Sequence, residues 1–389
     1  MVRTKIFSIL TPLVIIIAGL LLVQSRENVT DNPKSIILII ADGTGIGQHS
    51  YSYYFTDNYA PAKFDHVGLV TTHSADKRLV TTSVEGARAL ASGVKITEIG
   101  EWRKVTDSAA GGTALSSGVK TYNSAIGVNA GVEPVKNITE YAHEMNMATG
   151  LVATSSITSA TPASFAAHID KRDKEDIIAQ QMADSEINVL LGGGQKFFNS
   201  KANGGVQEIN LLQKMHDNGV QVVTALDEIS YPADRLVGLF SDGGLPRAID
   251  GRSPTTSQMA EVALKVLETD DDGFFLMIEE SQVDWAGHDN ESEYLLGELE
   301  SLNDLVDFVL AYQAKNPNVL VILTADHETG GLSVVNKSKG PGLESAWKTT
   351  GHTGNFVPVF ATGPGGDYFD GLLDNTDIAK QLITMMLAE

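Results

Sequence analysis

Three apolar runs in this sequence end in acids. Ser35–Ala41 (SIILIIA) leads into Asp42, Phe274–Ile278 (FFLMI) into Glu279, and Val319–Thr324 (VLVILT) passes Ala325 into Asp326 and His327. One acid after a strand is ordinary, since a carboxylate often caps the helix that follows. Three of them, far apart in sequence, converge if the strands lie in one sheet, because strand C-termini share an edge where ligands bind. Asp284 and His288 stand in the stretch EESQVDWAGH, and a D-x-x-x-H spacing puts both side chains on one helix face, suited to a single Zn²⁺. His352 lies in the loop GHTGN before the apolar run FVPVF. With carboxylates and imidazoles but no cysteine at all, the natural fit is Zn²⁺ in mixed oxygen and nitrogen sites and Mg²⁺ in an oxygen-rich one. The same lack excludes disulfides, thiolate metal sites and a cysteine nucleophile.

A serine is the remaining candidate for nucleophilic chemistry. The stretch Arg103–Lys120 (RKVTDSAAGGTALSSGVK) repeats Arg78–Lys95, with 11 of 18 positions identical. Only the later copy has an acid, Asp107, before its serine, Ser108; in the earlier copy Thr82 precedes Ser83 and Glu85 follows closely. A carboxylate at Glu85 would repel an anionic substrate, which favours Ser108. A serine hydroxyl is a poor nucleophile at neutral pH and needs a metal or a base to activate it. Other familiar devices are missing. DGTGIGQ has Gln48 where a dinucleotide turn needs its third glycine, there is no P-loop, and neither serine fits G-x-S-x-G.

The elements that must hold these residues follow from the pattern. Runs such as Ser35–Ala41, Gly150–Thr154, Ile187–Leu191, Gly219–Thr224, Phe274–Ile278 and Val319–Thr324 suit strands covered on both faces. Between them, Ser257–Glu268 and Glu293–Lys315 carry apolar residues at helical spacing. The expectation is an α/β three-layer sandwich, a central, mostly parallel sheet with helices on both faces and the site at the strand C-terminal edge. It would form one domain over residues 30–389, with a local duplication (78–95 and 103–120) and loop insertions near 192–256 and 330–352. At the N-terminus, Arg3 and Lys5 precede an apolar run from Ile6 to Val23, the layout of a signal peptide over residues 1–25 or of an uncleaved membrane anchor. A periplasmic or secreted protein is expected. A balance of 28 basic against 49 acidic residues, net charge −21, argues against nucleic-acid binding.

Six motifs in order complete the reading: ADGTG at 41–45, VTDSAAGGTA at 105–114, SATPASFAAHIDKR at 159–172, EESQVDWAGH at 279–288, TADHETGG at 324–331 and GHTG at 351–354. Together the chain resembles the metal-dependent alkaline phosphatases from Ser35 onward. The resemblance implies hydrolysis of phosphate monoesters through a phosphoserine intermediate, with two Zn²⁺ and one Mg²⁺, in a homodimer. Carried over by motif, Ser108 is the nucleophile and Arg172 grips the substrate phosphate. Asp284, His288 and His352 would bind one zinc, and Asp42, Asp326 and His327 the other. Asp42 would also face the magnesium, joined by Thr161 and Glu279; the five-residue offset to Asp284 favours Glu279 over Glu280. Ser159 and Trp285 stand where many relatives carry charged groups, which implies fewer direct charge contacts to magnesium and phosphate. A phosphodiesterase of the same superfamily and a non-catalytic phosphate or metal binder are the alternatives.

Overall fold

The computed structural model describes residues 32–75 and 104–388. The N-terminal apolar run and the earlier copy of the repeat lie outside the described residues. Ten strands form the central sheet: β1 (Ser35–Ala41), β2 (His66–Thr71), β3 (Ala148–Ser156), β4 (Val189–Gly193), β5 (Gln221–Val223), β6 (Leu236–Leu239), β7 (Phe274–Glu280), β8 (Val319–Thr324), β9 (Val357–Thr362) and β10 (Gly371–Asp374). Their order is β10-β2-β9-β8-β1-β7-β3-β4-β6-β5, and only β9 runs against the rest.

Alternation along β1 shows why the run had to be apolar throughout. Ile36, Leu38 and Ile40 enter one core cluster, while Ile37, Ile39 and Ala41 enter another on the opposite face. The first cluster is closed by α2 (Ser108–Ser117), through Ala109 and Leu115, and by the C-terminal helix α8 (Asn375–Leu387), through Ile378 and Leu382. The second is closed by α5 (Thr256–Leu267) and α7 (Ser292–Gln313), through Met259, Leu264, Leu295 and Leu302. Each such buried Leu, Ile or Met side chain contributes roughly 1.5–3 kcal/mol, so both helix layers are held by the sheet they cover. The result is the expected three-layer sandwich.

Residues 192–256 supply β5, within the run Gly219–Thr224 expected as a strand, and β6, which pairs with β4 in register Val189↔Leu236 and was not expected. Residues 330–352 lie off the main sheet and carry a small antiparallel hairpin, Ser333–Asn336 with Leu343–Ala346.

Candidate active site

Both strands flanking β1 run parallel to it, so Asp42, Glu279 and the Asp326–His327 pair emerge at one edge of the sheet. The antiparallel β9 begins at that same edge, and the loop before it delivers His352. Just beyond β7, α6 (Gln282–Asp289) carries Asp284 and His288 one turn apart. Gly43, at φ +72°, lets the β1 loop pass over Asp284: a β-carbon there would lie 2.7 Å from the Asp284 Cα.

Six of the candidate ligands fall into two groups whose ligand atoms lie within 4.8 Å of one another, Asp284 with His288 and His352, and Asp42 with Asp326 and His327. In the first, His288 Nε2 is 3.4 Å from Asp284 Oδ2 and 3.1 Å from His352 Nε2. His352 Nε2 in turn is 3.5 Å from Asp284 Oδ1. The outer nitrogens are committed to backbone carbonyls, His288 Nδ1 to Thr350 O at 2.6 Å and His352 Nδ1 to Thr106 O at 2.9 Å. This leaves both Nε2 atoms facing inward, as a cation requires. In the second group, His327 Nε2 sits 3.3 Å from Asp326 Oδ2 and 3.6 Å from Asp42 Oδ1. The His327 and His352 rings stack with centroids 3.6 Å apart, so the groups are neighbours.

Charge is the unresolved quantity in this region. Asp42, Asp284, Asp326 and Glu279 are all buried, and among the described ion pairs none brings a lysine or arginine to them. Burial, reinforced by the nearby charge of Asp326, raises the Asp42 carboxyl well above the usual carboxylate range. Glu279 is pushed by burial to about 7, against the pull of the Ser281 and Ser155 hydroxyls on its Oε2 at 2.6 and 3.1 Å. Burial would also raise Asp284, but the hydrogen bonds of His288 and His352 outweigh it and hold this carboxyl far below the usual range. Asp42 Oδ1, Asp326 Oδ2 and Thr161 Oγ1 are buried without any hydrogen-bond partner. Buried polar atoms are rarely left so, and unpaired buried anions are costly. Divalent cations would satisfy all of these atoms at once; the residues present fit such ions.

Ser108 opens α2 beside the second group, its Oγ 3.3 Å from His327 Nε2. Asp107 caps the helix by accepting from Ala110 N at 3.0 Å with Oδ1. With Oδ2 it accepts from Ser124 N at 2.9 Å and from an Arg172 guanidinium nitrogen at 3.4 Å. One acid thereby sets the serine and the arginine relative to each other. Thr161 lies on the short helix Ala160–Ala163, packed against Gly112 of α2. Glu280 points to the other face of β7, where Arg252 meets it, so the two acids ending β7 have separate surroundings. Sequence reasoning missed the residues that orient the ligands: the carbonyls of Thr106 and Thr350, the hydroxyls of Ser155 and Ser281, and Thr329, whose Oγ1 donates to Asp284 Oδ1. Backbone partners leave no mark in side-chain pattern, and a serine or threonine in a loop has too many other uses to be singled out.

The alkaline phosphatase family model matches residues 33–344 of the chain. Alkaline phosphatase 3 of Bacillus subtilis is 32% identical over 447 residues, an alignment covering 92% of this chain and 90% of that relative. The solved structure of alkaline phosphatase from the Antarctic bacterium TAB5 is 34% identical with a TM-score of 0.80, covering 91% of this chain and 98% of that one. A variant of the TAB5 protein, solved with Mg bound in the M3 site, matches with a TM-score of 0.79 over 92% of this chain and 99% of that one.

Proposed function

Because the chain belongs to the alkaline phosphatase family and is a phosphatase of a metal-dependent kind, we propose that it hydrolyses phosphate monoesters through a phosphoserine formed at Ser108. The observation that carries this reading is the placement of the Ser108 hydroxyl at the start of a buried helix, beside the Asp42, Asp326 and His327 group and linked through Asp107 to Arg172. We assign one Zn²⁺ to Asp284, His288 and His352, a second to Asp42, Asp326 and His327, and Mg²⁺ to Asp42, Thr161 and Glu279. Bound there, the ions would act as Lewis acids that stabilise the oxygens entering and leaving phosphorus.

The chain's own residues do the rest. Ser108 Oγ attacks the phosphorus, the bond to the ester oxygen breaks, and the alcohol leaves with a proton. Water then attacks the same phosphorus from the vacated side, the bond to Ser108 breaks, and phosphate departs with the serine restored. Arg172 offers a planar fork to two phosphate oxygens, and Asp107 keeps that fork aimed at the serine. The N-terminus of α2 adds backbone N–H groups and a positive helix dipole where negative charge gathers. These local charges answer the net −21 of the chain, which an anionic substrate would otherwise meet. We further propose export through the N-terminal segment and assembly as a homodimer. Among the described residues no helix is long and apolar enough to cross a membrane.

Hydrolysis of p-nitrophenyl phosphate by the purified chain, before and after exhaustive chelation, tests the reading. Turnover that disappears with the metals and returns with Zn²⁺ and Mg²⁺ is expected. Turnover indifferent to chelation would exclude it.

A further inference from the structure

Glu328 follows a candidate ligand yet belongs to neither group. It is buried, and none of the described ion pairs includes it. Its carboxylate is nevertheless crowded with donors. Oε1 accepts from Gln48 Nε2 at 2.9 Å and from Leu332 N at 3.2 Å, while Oε2 accepts from Gly331 N at 3.2 Å, Asn355 Nδ2 at 3.4 Å and the Thr353 hydroxyl. A carboxylate has about four lone-pair positions, so this one is saturated.

The origin of those donors is the informative part. Thr353 and Asn355 belong to the arm that presents His352. Gln48 belongs to the loop and helix that follow Asp42, and it also donates to Thr329 O at 2.6 Å and accepts from Gly45 N at 3.0 Å. Glu328 itself continues the arm of Asp326 and His327. The backbone links the two histidine arms by a two-residue ladder, Glu328↔Thr353 and Thr329↔His352, continued at Gly330, whose N donates to Gly351 O at 3.0 Å and whose O accepts from Lys348 N at 2.9 Å and Thr349 N at 3.1 Å. These bonds set the backbone register; the Glu328 carboxylate ties side chains of the same arms to the Asp42 loop. At Gly45 a β-carbon would lie 2.4 Å from Glu328 Cγ, so the Asp42 loop can close on this side chain only because glycine stands there.

We infer that Glu328 is a positioning residue that fixes the spacing between the two ligand groups by tying three ligand-bearing segments to a single buried carboxylate. It touches no reacting atom and acts through Thr353 on His352 and through Gln48 on the Asp42 loop. The inference rests on the proposal that Asp284, His288 and His352 hold a metal ion.

The test uses cobalt(II) as probe on the metal-stripped full chain, following its visible absorption bands during titration. Wild type should take up cobalt at both groups. Glu328→Gln preserves size but turns an amide towards donors, and should weaken the His352 group about 10- to 100-fold, the range for outer partners of metal ligands, with altered bands. Thr353→Val, which deletes one donor on the His352 arm, should shift affinity and bands in the same direction, and Thr353→Ser should restore both; this pair carries the test if Glu328→Gln does not fold. Wild-type affinity and bands in Thr353→Val, or in a folded Glu328→Gln, would overturn the inference while leaving the metal assignment standing. Failure of wild type itself to bind cobalt would instead remove that assignment, and the inference with it.

Discussion

Replacing Arg252 by methionine would keep an aliphatic stem in place and delete a charge that two buried acids share. The guanidinium donates to Glu280 Oε2 at 3.1 Å, to Glu298 Oε2 at 2.5 Å and to Pro246 O at 2.8 Å, and all three charged side chains are 2% exposed or less. After the change Glu280 retains the Ser301 hydroxyl at 2.7 Å and Glu298 retains Ala248 N at 2.8 Å, but neither has a cation. Breaking a buried ion pair costs roughly 3–5 kcal/mol, and the stranded Pro246 carbonyl adds about 1 kcal/mol. A loss on the order of 4 kcal/mol at pH 8 is therefore expected, since protonation of one acid relieves part of the sum. The sign of the pH dependence follows. In the wild type, burial and the neighbouring Glu280 charge push Glu298 to about 7, with Arg252 opposing them. A carboxyl raised in the folded state contributes stability below its unfolded value near 4.3 and loses it as the pH climbs through the folded value. Without Arg252 the folded value rises further, so the deficit against wild type should widen between pH 5 and pH 8 by up to ~1.4 kcal/mol, one pKa unit's worth. Urea unfolding of both proteins, followed by tryptophan fluorescence at the two pH values, reads this directly. Adding Glu280→Gln and Glu298→Gln to Arg252→Met should recover most of the loss. An unchanged midpoint, or a deficit larger at pH 5 than at pH 8, would refute the reasoning.

Arg172→Lys replaces a bidentate fork by a point charge, and should raise KM and the phosphate inhibition constant about 10-fold, or ~1.4 kcal/mol, with metal content unchanged; steady-state kinetics with elemental analysis decides. Asp284→Ala and His352→Ala should each lower zinc from two ions to one per chain and slow breakdown of the phosphoenzyme; two ions retained in either variant contradicts the ligand assignment. Deleting residues 82–106 joins Thr81 to Asp107 and substitutes Leu79-Val80-Thr81 for Lys104-Val105-Thr106. The carbonyl of Thr81 should then take over from that of Thr106 as the partner of His352 Nδ1, and the shortened protein should fold and stay active. An insoluble or inactive product would show that the earlier copy of the repeat is required.

Much of the sheet was legible because parallel strands covered on both faces must be apolar at every position, as Ser35–Ala41 is. Helix boundaries in α5 and α7 fell within two residues of the periodic pattern, since apolar spacing marks the buried stripe on its own. The acids ending β1, β7 and β8 could be placed at one edge by the same logic. His352 could not, because its arrival depends on β9 running antiparallel, and no residue pattern states a strand's direction; only resemblance connected it to Asp284. The strand β6, next to the edge strand β5, was hidden inside a glycine-rich, polar stretch, and its partner β4 lies more than forty residues earlier in the chain. Arg252 and Glu328 illustrate the wider limit. Each looks like any surface charge in sequence, and each acquires its role from donors and acceptors that only the folded chain assembles.

The most direct measurement is the identity of the phosphorylated residue. Brief reaction of the metal-loaded protein with a monoester or with inorganic phosphate, followed by an acid quench and peptide mass spectrometry, should find one phosphoryl group on the peptide holding Ser108. Ser108→Ala should form none and should lose several orders of magnitude in turnover while binding its metals as wild type does. Phosphate mapped to Ser83, to a threonine or to a histidine, or full turnover in Ser108→Ala, would contradict the account.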